Sequence, residues 1–196
     1  MPERAPLILA SSSPRRLALL RQVGVIPDRI AVPDVDETPL ARELPRAHAL
    51  RLAAAKACDV AARSPLPAFV LAADTAVACG RRILGKATDV TSAERYLRLL
   101  SGRRHRVYTG IALTAPDGRR ASRVVMTMVA IKRLDAGELE AYLASEEWRG
   151  KAGGYAIQGR AEAFIPAISG SYSNVVGLPL AATLDLLRGL GWRGEP

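Results

Sequence analysis

Acidic side chains gather at two points of the chain. Asp34-Val35-Asp36-Glu37 carries three carboxylates in four residues, and Asp74-Thr75 follows directly on the apolar run Phe69-Val70-Leu71-Ala72-Ala73. Hard carboxylate oxygens suit Mg²⁺, which takes one or two of them and completes its shell with substrate phosphates. The first cluster is therefore either such a metal site or a solvated acidic turn. Asp74, at the exit of a buried strand, stands where open α/β sheets bind ligands. There it acts as a metal ligand or a general base for water, unless it is only a loop or capping residue.

Cations and hydroxyls form the complementary set. Ser11-Ser12-Ser13-Pro14 ends a strand and opens a helix, with Ser13 suited to the N-cap and Pro14 to the first helical position. Such a turn offers unpaired backbone N–H groups and the positive end of a helix dipole, which together attract anions. Arg15 and Arg16 fall in the first turn, where cations are disfavoured without an anion to hold. Guanidinium groups grip phosphate oxygens bidentately, so the choice lies between a bound phosphate and a capped helix with solvated arginines. Lys56 shares a helix face with Leu52, Ala53, Ala57 and Val60. It either snorkels outward or points into a polar cleft.

Two glycine-rich stretches complete the set. Gly80-Arg-Arg-Ile-Leu-Gly85-Lys86-Ala87 matches the first seven positions of a P-loop, but Ala87 replaces the metal-reaching Ser or Thr and no helix opens at Lys86. The P-loop reading fails, which leaves Lys86 open to contact phosphate without that architecture. In Gly150-Lys-Ala-Gly-Gly-Tyr-Ala-Ile-Gln158-Gly159 the glycines permit close approach of backbone to a ligand. The Gln158 amide offers one acceptor and two donors, a match for the adjacent N–H and carbonyl of uracil or thymine. A structural turn is the alternative.

The elements that must position these groups alternate between strand-like and helix-like runs, as an α/β domain does. Strands are expected at Pro6–Ala10, Arg29–Val35, Phe69–Ala73 and Ala76–Leu84 with a turn at Gly80. A hairpin of His105–Thr114 and Ser122–Arg133 turns at Pro116-Asp117-Gly118. Helices are expected from Ser13 to Gly24 and over Pro45–Ala62, Thr91–Leu100, Asp135–Leu143 and Pro179–Leu190, while Gly150–Gly177 reads as irregular. One domain accounts for all 196 residues, and 49% apolar residues build a real core. The net charge of +9 is shared evenly along the chain, which speaks for an anionic ligand and against a nucleic-acid arm. No apolar run reaches the ~20 residues of a membrane span, and no secretory leader is visible. Cys58 and Cys79 form no CxxC pair and fit a reducing cytoplasm. They read as structural, as do His48 and His105, and Arg103-Arg104-His105-Arg106 as a solvated strand start.

Taken in order, these segments resemble the Maf family of nucleoside triphosphate pyrophosphatases. The likeness rests on Leu9-Ala-Ser-Ser-Ser-Pro-Arg-Arg16, Val35-Asp-Glu37, Arg51-Leu-Ala-Ala-Ala-Lys56, Ala73-Asp-Thr75 and Leu84-Gly-Lys86. Ser101-Gly-Arg-Arg-His-Arg-Val107, Lys151-Ala-Gly-Gly-Tyr-Ala-Ile-Gln-Gly159 and Gly170-Ser-Tyr-Ser-Asn-Val-Val-Gly-Leu-Pro179 extend it over nearly the whole chain. The resemblance implies a long mixed, largely antiparallel sheet flanked by helices, with a cleft between two lobes. It implies hydrolysis of a nucleoside triphosphate to monophosphate and pyrophosphate with Mg²⁺ or Mn²⁺. Asp74 would activate water, with Glu37 beside it on the metal. Ser11, Ser13, Arg15, Arg16, Lys56 and Lys86 would line the triphosphate. Arg15, Thr75 and Gln158 occupy positions tied to base preference in the branch acting on dTTP and UTP, which Ile157-Gln158-Gly159 resembles more than the 7-methyl-GTP branch. Ala73 departs from the Gly usual before Asp-Thr, and Gly150 from an acidic residue. A homodimer and a nucleotide-binding role in cell division are further implications; neither nucleic acid nor membrane is expected as a partner.

Overall fold

The computed structural model describes residues 5–194. The chain runs β1 (Leu7–Ala10), α1 (Pro14–Gln22), β2 (Arg29–Ala31), α2 (Pro45–Ala62), β3 (Phe69–Cys79) and β4 (Arg82–Leu84). It continues with α3 (Val90–Leu100), β5 (Arg104–Thr114), β6 (Arg120–Ala130), α4 (Ala136–Ala144), a 3₁₀ turn (Arg160–Phe164), β7 (Ala167–Ser169), α5 (Tyr172–Val176) and α6 (Leu180–Gly189). The strands form one sheet in the order β2-β1-β3-β5-β6-β7, with β4 paired to β3. Only the pairings of β1 with β2 and β3 are parallel. The expected mixed, largely antiparallel sheet flanked by helices is what the chain forms.

Helices cover both faces, which is why the central strands read as unbroken apolar runs. Leu7, Leu9, Leu71, Ile111 and Leu113 face α1, α3, α4 and α6 in the larger core. Ile8, Ala10, Val70, Ala72 and Ala112 turn the other way onto Ala53, Ala57 and Val60 of α2. Small residues on that second face let α2 lie close. Closest is Gly110, where a Cβ would sit 2.2 Å from the Ala49 carbonyl oxygen.

The split that makes the cleft lies along β3. One edge of β3 pairs with β5 from Val70 to Ala78. The other edge pairs with β1 only through Ala72, and with β4 only from Val77. Residues 73–76 therefore face a gap between two strands that share one edge, and the sheet opens there into two lobes.

Several expectations are corrected. Asp74 is not at a strand exit: β3 runs on through it to Cys79, because Asp74 and Thr75 keep their register with Gly110 and Thr109. The strand from Arg29 stops at Ala31, where pairing with β1 runs out at Ala10, and residues 32–44 form a loop. Ser13 takes the N-cap position, yet its side chain caps nothing; Ser13 N–H instead donates to Ser11 Oγ at 3.1 Å. The stretch from 150 to 177 is not wholly irregular, since β7 extends the sheet from β6 and Asn174 anchors α5. His105 is not solvated with its arginine neighbours but 2% exposed.

Candidate active site

A cavity of about 700 Å³ opens at the gap in the sheet. The ends of β1 and α1 bring Ser11, Ser13, Arg15 and Arg16 to it, and β3 brings Asp74 and Thr75. Glu37 arrives on the 32–44 loop, Lys56 on α2, Lys86 just after β4 and Gln158 on the glycine-rich loop. All ten sequence-derived positions line this one space, which has the volume of a small-molecule site.

At its acidic end Lys56 sits between two carboxylates. Its Nζ lies 2.6 Å from Glu37 Oε1 and 2.6 Å from Asp74 Oδ1. The lysine is 5% exposed and Asp74 8%, so the stem fills the apolar face of α2 while the ammonium turns into the cleft. Lys86 Nζ reaches Glu37 Oε2 at 2.8 Å from the opposite, more exposed side. Burial pushes the Glu37 carboxyl up, but hydrogen bonds from Lys56 and Lys86, with their charge, outweigh it and bring it down to about 2. The three carboxylates of residues 34–37 do not converge on one point. Asp34 joins α2 through its backbone N–H to Asp59 Oδ2 (2.9 Å), and Asp36 turns onto the Thr38 N–H (2.8 Å).

Two carboxylates converging on one cationic point fit a hard divalent ion whose remaining ligands are water and phosphate oxygens. Among the described residues no group of three or more His, Cys, Asp or Glu gathers to hold a metal. Glu37 and Asp74 are therefore the pair that could hold one, and a triphosphate would have to complete the shell.

Arg16 is built into the wall. Its Nε donates to the Gly177 carbonyl (2.9 Å), Nη1 to Ser11 Oγ (3.1 Å) and Nη2 to Thr75 Oγ1 (3.4 Å). Thr75 Oγ1 lies 3.0 Å from Thr109 Oγ1, which donates to the Asn174 carbonyl at 3.0 Å. The Thr109 proton is thus committed, so Thr75 donates to it and accepts from Arg16. This chain of bonds ties Arg16 to the fully buried Asn174, whose Nδ2 holds the Val107 carbonyl and Thr127 Oγ1. Arg16 keeps two N–H groups for the cavity.

The same cavity is lined by cations without carboxylate partners. Arg15 is half-buried and has no ion-pair partner among the described residues. Lys151 lines the same cavity, and among the described residues its ammonium reaches only the Arg149 carbonyl, at 3.2 Å. Burial and then the charge of Arg15 lower the Lys151 ammonium from its usual value, with Glu147 pulling it back. Lys151 is the site residue that sequence reasoning missed, although lysine is scarce enough in this chain to mark it. Its backbone is held beside that of Lys86: Ala87 N–H donates to the Lys151 carbonyl (3.1 Å), and Lys86 pairs with Ala152. Gln158 is exposed, and its amide makes no hydrogen bond to another described residue.

A mixed α/β sheet split over a carboxylate pair and faced by uncompensated cations defines a protein built to take a polyanionic ligand. The family model described as Maf-like protein matches residues 6–190, and the chain belongs to the Maf family. It is 62% identical over 187 residues to a dTTP/UTP pyrophosphatase of Caulobacter vibrioides, covering 95% of this chain and 96% of that protein. It is 60% identical to a dTTP/UTP pyrophosphatase of Rhodospirillum rubrum, covering 96% and 89%, and 57% identical to one of Hyphomonas neptunium, covering 98% and 100%. Among solved structures, a HAM1 protein from Coxiella burnetii aligns with a TM-score of 0.44 and 18% identity over 82% of this chain and 91% of that one.

Proposed function

We propose that this protein hydrolyses dTTP and UTP to the monophosphate and pyrophosphate. The observation that carries the reading is the convergence of Glu37 and Asp74 on one cationic point, in a single cavity that Arg15 and Lys151 also line. Relatives at 57–62% identity that bear the name dTTP/UTP pyrophosphatase support the substrate.

In this reading Glu37 and Asp74 hold a Mg²⁺ or Mn²⁺ ion together with the triphosphate. The ion, when bound, offsets phosphate charge and polarises the phosphorus toward attack. Asp74 orients a water molecule at the α-phosphorus and accepts its proton. The P–O bond to the β-phosphate breaks, and pyrophosphate leaves. Arg15, Arg16 and Lys86 meet the charge that develops on it, Lys151 holds the triphosphate in substrate and transition state alike, and Lys56 spaces the two carboxylates. Ser11 and Ser13 present hydroxyls beside the first-turn N–H groups of α1. Gln158 pairs with the base edge, while Thr75 acts through Arg16, to which its hydroxyl is bonded.

Purified protein with dTTP or UTP and Mg²⁺ is expected to release pyrophosphate and to stop when the metal is chelated. Release of orthophosphate would overturn the mechanism. Preference for 7-methyl-GTP in a panel with CTP, 5-methyl-UTP and pseudo-UTP would overturn the branch. We place the enzyme in the cytoplasm with the nucleotide pool; its two free cysteines accord with that. A homodimer is expected on family grounds, with light scattering as the measurement.

A further inference from the structure

Glu37 sits on a stretch of chain that the core does not hold. Residues 32–44 form neither helix nor strand, and apart from the Glu43 side chain, which is 7% exposed, they are exposed or half-buried. Apolar burial therefore contributes little to their order, and polar contacts must supply it.

Besides Lys86, which reaches Glu37, those contacts come from α2 and its C-cap. At the far end of α2, Asp59 Oδ2 accepts from the Asp34 N–H, and Arg63 Nη2 donates to the Val32 carbonyl at 3.0 Å. In the middle Lys56 takes Glu37 itself. At the near end Glu43, which belongs to the loop, is gripped from several sides. Arg51 Nε donates to its Oε1 at 2.6 Å and Arg51 Nη2 to its Oε2 at 2.8 Å. His48 Nδ1 lies 2.9 Å from Oε2 and must be the donor, because an ionised carboxylate only accepts. The Leu40 N–H donates to the same oxygen at 3.0 Å. Arg51 Nη2 also donates to the Thr38 carbonyl at 3.1 Å, one residue beyond Glu37. Glu43 and His48 side chains are each 7% exposed, so the grip is shielded from water, unlike the loop around it. Within α2, 48 and 51, and 56 and 59, each stand three residues apart, so each pair shares a face of the helix.

We infer that the Arg51–Glu43–His48 cluster is a positioning device for Glu37, fixing the reach of the 32–44 loop so that its carboxylate meets Lys56 and Asp74. Arg51 touches both the anchor of the loop and the residue after Glu37, so it sets where Glu37 stands without reaching the cavity itself. The inference rests on the reading that Glu37 serves the hydrolytic reaction.

The test is a double-mutant cycle with an exchange measurement beside it. Arg51→Ala is expected to lower kcat roughly 10–100-fold while KM changes less than about 3-fold, as misplacement of a reacting group does. Arg51→Lys keeps the charge without the bidentate fork and should recover only part of the rate. In a Glu37→Gln background, Arg51→Ala should cost less than about 2-fold more, since the two act as one unit. Amide exchange over residues 34–41 should rise in Arg51→Ala and in the milder Glu43→Gln, with β3 and β5 still protected. A full multiplicative loss in the Glu37→Gln background, a loss carried by KM, or unchanged exchange in both variants would overturn the inference. If Arg51→Ala unfolds, Glu43→Gln is read in its place. If wild-type protein released no pyrophosphate at all, the proposed function would fail, and the exchange arm would still decide whether the cluster holds the loop.

Discussion

Lys56 turns two carboxylates that would repel into a neutral-leaning triad, and this decides what the rest of the cavity must do. With Lys56 and Lys86 already paired, the lining cations without a carboxylate partner among the described residues are Arg15, Arg16 and Lys151, and Arg16 is already bonded into the wall. Lys151→Ala is accordingly expected to raise KM for dTTP roughly 10-fold, the worth of one hydrogen bond to a charged group, with kcat changed less. An unchanged KM would remove Lys151 from the substrate. Asp74→Asn keeps the shape and removes the proton acceptor, so kcat should fall about 10²–10⁴-fold, as loss of a general base does. The variant must remain folded by circular dichroism for that loss to be read as chemistry.

At the scale of elements, the closeness of α2 to the sheet is what lets Lys56 reach β3. Gly110 makes that approach possible: any side chain there would strike the Ala49 carbonyl and the Leu50 backbone. Backbone cannot yield as a flexible side chain does, so Gly110→Ala should cost about 3 kcal/mol or more in urea unfolding. A cost below 1 kcal/mol, on that same scale, would mean that α2 shifts freely. The glycine also faces Asp74 across the β3–β5 ladder, so packing and chemistry meet in one pair of residues.

Over the whole molecule, the buried His105 makes stability depend on pH. Its Nε2 lies 2.7 Å from the Tyr155 hydroxyl, and burial pushes the imidazole down from 6.5 to about 4. Between those values the unfolded chain binds a proton that the folded chain does not. Stability is therefore lost as pH falls from 6.5 to 4, by about 3 kcal/mol from this group. Glu37 and Glu43, both held near 2, add a second loss as pH falls below 4.5 toward 2. His105→Gln should flatten the first limb and leave the second, read from unfolding free energies at pH 7 and pH 4. An unchanged slope between those two values would assign the first limb to other groups.

Much of this was legible one residue at a time. The strand–serine–helix turn, the lysine on an apolar face and the acidic Glu37 announce themselves by type and spacing, because local periodicity and chemistry are properties of the chain alone. Identity of ligand class followed from their order. The continuation of β3 through Asp74 was not legible, since its register depends on Gly110 and Thr109, far away in sequence. Nor was the gap that opens the cleft, which exists only because β1 and β4 share an edge and leave residues 73–76 between them. The same holds for Lys151, ordinary in its own segment and set beside Lys86 by a bridge between distant loops. Composition and spacing determined which groups this protein brings to a phosphate; only the tertiary structure decided which of them are already neutralised and which face the substrate bare.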